Sequence, residues 1–368
     1  MDFKNYLVPG KTGLLIGIGG VSMSPLAEVL HDAGLDIRGS DMAESSNTLT
    51  LRERGIPIHI GHSADNVTDD ISFVIRTAAV HDDNPEVHEA HRCGIPVFER
   101  TQAWGALMRG YQNALCISGT HGKTTTTSMC THIMMAAEKD PTVMIGGTLP
   151  LLKACHRVGK GNTIIMESCE YYNSFLALNP TIAVVLNIEA DHLDFFKDLE
   201  DIKHSFRCFA ERVPAETGTV IANYDDANTM DALRGIARKV ITFGLNAKAD
   251  VYAQNIVHRG SVSEFDIYHR GNYFARVTLH VPGIHNVRNA LAATAAAIVL
   301  GVSPNAVKYG LAGFEGAGRR FDFKGKFQGA DLYDDYAHHP SELRALLDAV
   351  YTLNYQRTIV VFQPHTYS

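Results

Sequence analysis

Short apolar runs alternate with helix-like segments along this chain, and this alternation restricts the fold more than any other feature. "TIIMES" (163–168) and "IAVVLNIEADH" (182–192) begin as almost continuous apolar runs, while "SPLAEVLHDAG" (24–34) and "NVRNALAATAAAIVLG" (286–301) have the spacing and glycine stop of helices. Continuous apolar strands are typical of sheets that are covered on both faces, and strands separated by helices pair in parallel. The sequence therefore predicts an α/β fold with mainly parallel sheets.

The length of 368 residues exceeds what one hydrophobic core supports, so several domains are expected. A first α/β domain is predicted at 1–110. A central domain at 111–316 begins with the strand 114–118 and includes an antiparallel hairpin near 250–282. A third unit at 317–368 contains a strand in "ADLYDDY", the helix "SELRALLDAVYTL" and a last strand, "TIVVF" (358–362).

Composition excludes several classes of function. The net charge of -7 argues against nucleic acid as the main partner, because phosphate contacts along a duplex need a basic face. No apolar run is long enough to span a membrane, and the start of the chain does not resemble a signal peptide. The six scattered cysteines form no metal or disulfide pattern, so a reducing, cytoplasmic location is expected. With nucleic acid and membrane disfavoured, the expected partners are small molecules. The oligomeric state is left open.

A strand, a glycine loop and a helix start follow one another in "ALCISGTHGKTTTTS" (114–128). Glycines let backbone N–H groups approach phosphate oxygens, Lys123 would neutralise phosphate charge, and Thr124 would offer its hydroxyl to Mg²⁺. The loop is shorter than the common G-x-x-x-x-G-K-[ST] pattern, so it predicts nucleotide binding outside the common GTPase families. The candidate residues are Gly119, Thr120, His121, Gly122, Lys123, Thr124 and Thr125.

Acidic side chains follow the two most apolar strands. Glu167 and Glu170 follow the first, and the second is followed by Glu189, Asp191, His192 and Asp194. The carboxyl ends of parallel strands face the ligand crevice, where an acid would hold the metal beside the phosphates. Glu167 is the first choice because it stands where the apolar run ends. His192 is a further candidate ligand because three acids surround it in sequence.

A second glycine turn, "GIGGVS", follows the first strand. Gly17, Gly19 and Gly20 precede a helix and Asp41 ends the next strand, as in a dinucleotide fingerprint, but Ser22 stands where the third glycine is expected. Taken alone, the turn indicates NAD weakly and would also fit the strand–helix turn of any α/β fold. A diphosphate of some kind is favoured because helix-start N–H groups bind it.

Two polar groups occur later in the chain. Asn286 and Asn289 lie one helical turn apart, and the sequence leaves open whether they read an adenine edge or only pack. "DDYAHHP" concentrates ionisable groups at a strand end, which favours a site over a simple loop. Its members are Asp334, Asp335, Tyr336, His338 and His339.

Together these segments resemble the Mur ligase family of cell-wall biosynthesis. GTHGKTT, NIEADHLD, the N-x-x-N helix, GRRF and DDYAHHP occur in order over nearly the whole chain, and "GIGGVSMS", "ESCEYYNSFL" and "FQPHTYS" resemble the members that use L-alanine. The resemblance implies a Rossmann-like N-terminal domain that binds a UDP-sugar. It also implies a central P-loop ATPase-like domain and an incomplete Rossmann-like C-terminal domain that binds the amino acid.

The resemblance implies an ATP- and Mg²⁺-dependent ligase that converts the lactyl carboxylate of UDP-N-acetylmuramate to an acyl phosphate, which L-alanine then attacks. It implies catalytic roles for Lys123, Glu167 and His192, with Thr124, Glu167 and His192 as metal ligands. ATP contacts would come from the phosphate loop with Asn286, Asn289 and Asp335. The UDP-sugar would contact Gly17, Gly19, Gly20, Ser22 and Asp41, and alanine would contact Arg320, Tyr336 and His338.

Three alternatives are weaker. A ligase that recycles a tripeptide onto UDP-muramate is a near relative within the family. A nicotinamide-dependent dehydrogenase would use GIGGVS and Asp41 but leaves the Lys123 loop without a role, and a P-loop switch protein leaves DDYAHHP without one. The resemblance also implies a third domain that continues beyond Ser368, so this chain is expected to be C-terminally truncated and not to turn over substrate by itself.

Overall fold

The computed structural model describes residues 2–77 and 79–363, which form two compact units. Unit 1 comprises residues up to 111 together with 177–179, and unit 2 comprises 112–176 and the chain from 180 onward. The predicted boundary between a second and a third domain at 316/317 stays a prediction. Among the described residues, no helix is both long and apolar enough to cross a membrane.

Unit 1 is a parallel α/β sheet. Its strands are β1 Thr12–Ile16, β2 Asp36–Asp41, β3 Ile58–Ile60, β4 Ile71–Arg76 and β5 Val97–Glu99, and its helices are α1 Ser24–Asp32, α2 Ser46–Glu53, α3 Pro85–Arg92 and α4 Arg100–Met108. The strand order is β3-β2-β1-β4-β5, with every pair parallel. This order confirms the Rossmann-like expectation and places the turn after β1 where the order reverses, which is the usual ligand position.

The segment 177–179 belongs to unit 1 although it lies far along the chain. The side-chain amide of Asn179 donates to the carbonyl of Gly105 in α4 over 2.7 Å. A Cβ at Gly105 would lie 2.0 Å from the carbonyl oxygen of Ala177. Only a glycine lets α4 approach this segment so closely.

Unit 2 is built on a ten-stranded sheet in the order β15-β14-β13-β12-β11-β10-β6-β9-β7-β8. Its first half comprises β6 Asn113–Ser118, α5 Lys123–Ala136, β7 Thr142–Leu149, β8 Ala154–Arg157, β9 Thr163–Glu167, β10 Ile182–Val185, α6 Leu199–Glu211 and β11 Thr219–Asn223. Its second half comprises α7 Ala227–Ala232, β12 Lys239–Gly244, β13 Val251–Arg259, β14 Val262–His269, β15 Asn272–Leu279, α8 Ile284–Val299 and α9 Pro304–Ala312. The centre from β13 to β7 is parallel, which confirms the predicted mainly parallel sheet.

The edges of this sheet are antiparallel. The predicted hairpin is β14–β15, and β13 extends it to three strands. The alanine-rich helix α8 packs against β10 to β13 and against α5. Its alanines are buried because short side chains let the helix lie close to the sheet.

The end of the described chain forms β16 Asp322–Phe327, β17 Ala330–Asp334 and α10 Pro340–Tyr351. β16 was not predicted from the sequence, because Gly325 with φ +120 interrupts its apolar pattern. The predicted strand 358–362 is wrong. No described strand pairs with it and Val361 is 94% exposed, and a strand without a hydrogen-bonded neighbour is not stable in water. Residues 364–368 of the "FQPHTYS" motif lie outside the described residues.

Candidate active site

Three strand ends form the floor of the candidate site in unit 2. β10, β6 and β9 are neighbours in the sheet and run in parallel. The phosphate loop follows β6, Glu167 ends β9, and the "NIEADH" segment follows β10. Parallel pairing therefore brings together the two acidic segments and the loop that the sequence proposed separately.

Two glycines make the tight loop possible. Gly119 has φ +144, and a Cβ there would lie 2.8 Å from the Cβ of Leu186. Gly122 is the N-cap of α5 with φ +84, and a Cβ there would lie 2.7 Å from Oδ1 of Asn289. Both positions combine a left-handed backbone with a close neighbour, so larger residues are excluded.

Asn187 holds the loop from the β10 side. Its carbonyl accepts the Thr120 N–H over 3.0 Å, and its side-chain oxygen accepts the His121 N–H over 2.7 Å. Its side-chain amide donates to the His121 carbonyl over 3.0 Å. The sequence analysis did not single out Asn187, although the residue begins the NIEADHLD motif that follows an apolar strand.

Lys123 is folded back over its own loop. Its Nζ donates to the carbonyls of Gly119 and Thr120 over 2.6 and 3.1 Å, and it pairs with the Glu170 carboxylate at 3.1 Å. Burial is the largest single influence and acts to lower the pKa of Lys123, but the surrounding negative groups, Glu170 foremost and Glu167 among them, together outweigh it and the pKa is raised. The cation is therefore kept at the phosphate loop, with Glu170 as its counter-ion.

Thr124 and Glu167 form an oxygen pair beside the lysine. The Thr124 hydroxyl donates to Oε1 of Glu167 over 3.0 Å, and the Gly146 N–H donates to Oε2 over 2.7 Å. A hydroxyl and a carboxylate are the hard oxygen donors that Mg²⁺ prefers. This donor set fits the expected metal.

His192 lies in the loop after β10. Its ring stacks on Tyr171 with centroids 4.3 Å apart, and its backbone has φ +53. Tyr171 follows Glu170 and also donates to the Asp194 carboxylate. The stack ties the segment after β9 to the segment after β10.

A cavity of about 410 Å³ opens beside the loop. This volume is within the usual range for small-molecule sites. Of the predicted site residues it is lined by His121, Gly122, Thr125, Asn286, Asn289, Arg320 and Asp335. Lys123, Thr124, Glu167, His192, Tyr336 and His338 are not part of the lining.

The two asparagines of α8 are buried in the cavity wall. The Asn286 amide donates to the Pro282 carbonyl over 2.7 Å, and the Asn289 amide donates to Oδ1 of Asn286 over 3.3 Å. Each therefore has an internal partner while it also faces the cavity. His285 in the same wall is neutral at pH 7, because burial lowers its pKa to about 4.

The DDYAHHP segment lines another side of the cavity. The Asp335 carboxylate accepts the N–H groups of Phe321 and Ala337, each over 2.7 Å, and burial raises its pKa. The Arg320 guanidinium carbon lies 5.3 Å from the Tyr336 ring centroid, and the Tyr336 and His338 rings are 5.2 Å apart. The three residues expected at the amino acid thus lie together.

An ion pair links the phosphate loop to α10. His121 Nδ1 lies 3.1 Å from Oε1 of Glu342, and both side chains are mostly buried, with 15% and 13% exposed. Burial opposes ionisation of both groups. The hydrogen bond and charge attraction between the two groups exceed this effect of burial, so the pKa of His121 is raised and that of Glu342 is lowered to about 2. The sequence missed Glu342, although a Glu three residues after the helix cap is a capping-box signal.

Attachment of α10 should therefore depend on pH. The Glu342 contribution is complete above its ordinary pKa of 4.5 and is lost as pH falls towards 2. The His121 contribution is complete below its ordinary pKa of 6.5 and is lost as pH rises through the raised value. Hydrogen exchange in α10, corrected for intrinsic rates, should be slowest between pH 4.5 and 6.5.

Glu342→Gln should speed exchange in α10 at pH 5.5 and remove the further increase at pH 8.5. Asp348→Asn is the matched control, because it removes a carboxylate from the same helix that does not pair with His121. Equal exchange in the wild type at both pH values would contradict the ion-pair role.

The glycine turn of unit 1 also brings its predicted residues together. Gly17 has φ +77, and the Gly19 N–H donates to the Asp41 carboxylate over 2.8 Å. Gly20 donates to the Gly17 carbonyl over 3.1 Å. Ser22 accepts a hydrogen bond from Arg100 through its hydroxyl, and its carbonyl accepts the Trp104 indole N–H. The turn is therefore fixed before any ligand binds.

Comparison with known proteins decides the family. Residues 15–112 match the model described as the Mur ligase family catalytic domain, 117–297 match the Mur ligase middle domain, and 319–367 match the Mur ligase glutamate ligase domain. The chain belongs to the Mur ligase family. This Mur ligase is 46% identical over 354 residues to a UDP-N-acetylmuramate–L-alanine ligase of Agathobacter rectalis, covering 96% of the chain and 77% of that protein.

Other relatives agree. A UDP-N-acetylmuramate–L-alanine ligase of Clostridium novyi is 45% identical over 368 residues, covering 100% of this Mur ligase and 80% of that protein. The solved structure of the Thermotoga maritima UDP-N-acetylmuramate–alanine ligase matches with TM-score 0.78 and 31% identity, over 93% of this chain and 78% of that one. The solved structure of a UDP-N-acetylmuramate:L-alanyl-γ-D-glutamyl-meso-diaminopimelate ligase from Neisseria meningitides matches with TM-score 0.75 and 26% identity. The match covers 83% of this chain and 99% of that one.

Proposed function

We propose that this Mur ligase joins L-alanine to the lactyl carboxylate of UDP-N-acetylmuramate in the cytoplasm, with conversion of ATP to ADP and phosphate. The observation that carries the proposal is the arrangement of Lys123, Thr124 and Glu167 at the carboxyl edge of a parallel sheet. Similarity to alanine ligases at 45–46% identity supports the choice of amino acid over the tripeptide-recycling alternative.

Lys123 is the residue that meets the phosphates. It would leave Glu170 and place its ammonium against the β- and γ-phosphates, while the loop N–H groups at the start of α5 face the same anions. Phosphoryl transfer needs positioning and charge neutralisation more than covalent participation by the protein. Asn286, Asn289 and Asp335 line the cavity in which the nucleoside would lie.

Mg²⁺ would be held by Thr124 and Glu167, with His192 as a further ligand. When bound, the ion would neutralise charge on the transferring phosphoryl group. The Gly146 N–H fixes one Glu167 oxygen and leaves the other towards Thr124, so the protein orients the carboxylate in advance.

The substrate carboxylate attacks the γ-phosphorus and ADP leaves, which gives an acyl phosphate. The amine of L-alanine then attacks the acyl carbon and phosphate leaves. Arg320 would hold the alanine carboxylate, with Tyr336 and His338 beside it. In unit 1, Gly17, Gly19, Gly20 and Ser22 would lie against the UDP-sugar diphosphate near the start of α1. Asp41 would contact another part of the UDP-sugar, since a carboxylate repels a diphosphate.

The test is release of phosphate from ATP by the full-length natural protein, with UDP-N-acetylmuramate and one amino compound at a time. Release that needs both the UDP-sugar and L-alanine, with UDP-N-acetylmuramoyl-alanine identified by mass spectrometry, is expected. Turnover with the tripeptide L-alanyl-γ-D-glutamyl-meso-diaminopimelate in place of L-alanine would overturn the amino-acid assignment. Binding of NAD in place of ATP and UDP-sugar would overturn the reaction class.

His192→Ala should raise the Mg²⁺ concentration needed for half-maximal activity by at least about tenfold, since loss even of an outer-shell partner weakens a metal site by roughly 10–100-fold. His204→Ala, on α6, is the control. An unchanged Mg²⁺ titration in His192→Ala would rule out its role as a ligand.

A further inference from the structure

Three side chains that the proposed reaction does not use as a set converge at the rim of the cavity. They are His121 on the phosphate loop, Glu189 after β10, and His339 at the start of α10. One ligand atom from each lies within 4.8 Å of the others. None of the three is fully exposed, because their exposed side-chain fractions are 15%, 37% and 22%.

The spacing fits a tetrahedral ion. Ligands about 2.0–2.2 Å from a tetrahedral Zn²⁺ lie roughly 3.4 Å from one another. Oε2 of Glu189 lies 3.4 Å from Nε2 of His121 and 3.7 Å from Nδ1 of His339. Two of the three ligand-to-ligand distances are therefore already close to the value for a bound ion. Side-chain rotation would shorten the third, between His121 and His339, which is at most 4.8 Å.

The surroundings orient the imidazoles. Nδ1 of His121 faces the Glu342 carboxylate at 3.1 Å, so the other ring nitrogen faces Glu189. A carboxylate behind a histidine is the usual support of a metal-binding imidazole. The Ser341 hydroxyl lies 3.0 Å from Nε2 of His121 and 2.7 Å from Nδ1 of His339, so both nitrogens point at one position.

We infer that His121, Glu189 and His339 form a binding site for Zn²⁺, with a fourth position open to Ser341 or water. Two imidazoles and one carboxylate are a zinc donor set, whereas Mg²⁺ is bound mainly through oxygen ligands. The ion would connect the phosphate loop to α10.

Occupation of this site should oppose nucleotide binding. His121, Glu189 and Ser341 line the cavity, so an ion that they hold would restrict entry and fix the loop. This consequence rests on the proposed function, whereas zinc binding itself does not.

Calorimetric titration of Zn²⁺ into metal-free, nucleotide-free protein tests the site. One ion per chain is expected, with no competition from millimolar Mg²⁺. His339→Asn and Glu189→Gln should each weaken binding at least tenfold; asparagine keeps the helix N-cap at position 339. His204→Asn is the matched control, because it removes an imidazole that lies 3.5 Å from the Cys208 sulfur and could itself bind zinc.

A second measurement follows ATP affinity with and without one equivalent of Zn²⁺. Zinc should weaken ATP binding at least fivefold in the wild type and have no effect in His339→Asn. Absence of saturable zinc binding, equal binding by the wild type and both cluster variants, or loss of binding in His204→Asn would overturn the site. Zinc binding at the cluster with unchanged ATP affinity would overturn only the competition.

Discussion

Lys123→Ala is expected to reduce ATP-dependent ligation by at least about 10²-fold, because removal of a preorganised charge from a transition-state site has effects of this size. UDP-sugar affinity should stay near normal, since Lys123 belongs to unit 2 and the glycine turn proposed to bind the UDP-sugar belongs to unit 1. Phosphate release and UDP-sugar titration on the full-length natural protein measure the two effects separately. Lys139→Ala, an exposed lysine after α5, is the control.

The same substitution leaves Glu170, only 3% exposed, without its cation, so part of the effect could come from lost stability. The pair Lys123→Met with Glu170→Gln removes both charges at similar volume. This double variant should recover thermal stability and remain inactive. Activity within tenfold of the wild type in either variant, or equal loss of UDP-sugar and ATP affinity in Lys123→Ala, would contradict the assignment.

Gly105→Ala is expected to destabilise unit 1 by about 2 kcal/mol. Alanine inside a helix normally gains about 1 kcal/mol over glycine. Here the added Cβ would lie 2.0 Å from the Ala177 carbonyl oxygen, and forcing such an overlap costs about 3 kcal/mol. The steric cost therefore exceeds the gain in helix propensity.

Trp104, the only tryptophan in the chain, reports this change. It is buried beside Gly105 in unit 1, so its fluorescence follows urea unfolding of that unit. Gly110→Ala is the control, because its nearest contact, to the Leu107 carbonyl oxygen, would be 3.3 Å and therefore much less severe than 2.0 Å. An unfolding midpoint in Gly105→Ala equal to that of the control would disprove the clash.

Strands such as β6, β9 and β10 could be predicted because continuous apolar runs that end at polar residues are typical of strands buried on both faces. The run 358–362 has the same pattern and forms no strand among the described residues, since pairing needs a neighbour as well as propensity. β16 shows the reverse case, because it has a neighbouring strand but lacks the apolar pattern, and the sequence therefore did not predict it. Gly325 breaks its pattern, but β17 supplies the partner.

At the site, the sequence indicated Lys123, Thr124 and Glu167 because motif order and strand ends carry that information. It did not indicate the partners. Glu170 lies 47 residues from Lys123, and Glu342 lies 221 residues from His121. Such pairs depend on strand order and helix placement, which local patterns do not specify.

The segment 177–179 has a consequence for synthesis of the chain. Unit 1 would ordinarily fold on the ribosome as soon as residue 111 emerged, ahead of the rest. Because its contact with Gly105 comes from Ala177 and Asn179, β6, α5 and β9 must all be translated first. A nascent chain stalled before 177 should therefore leave α4 more sensitive to protease, and exposure of residues 177–179 outside the ribosome should make it resistant.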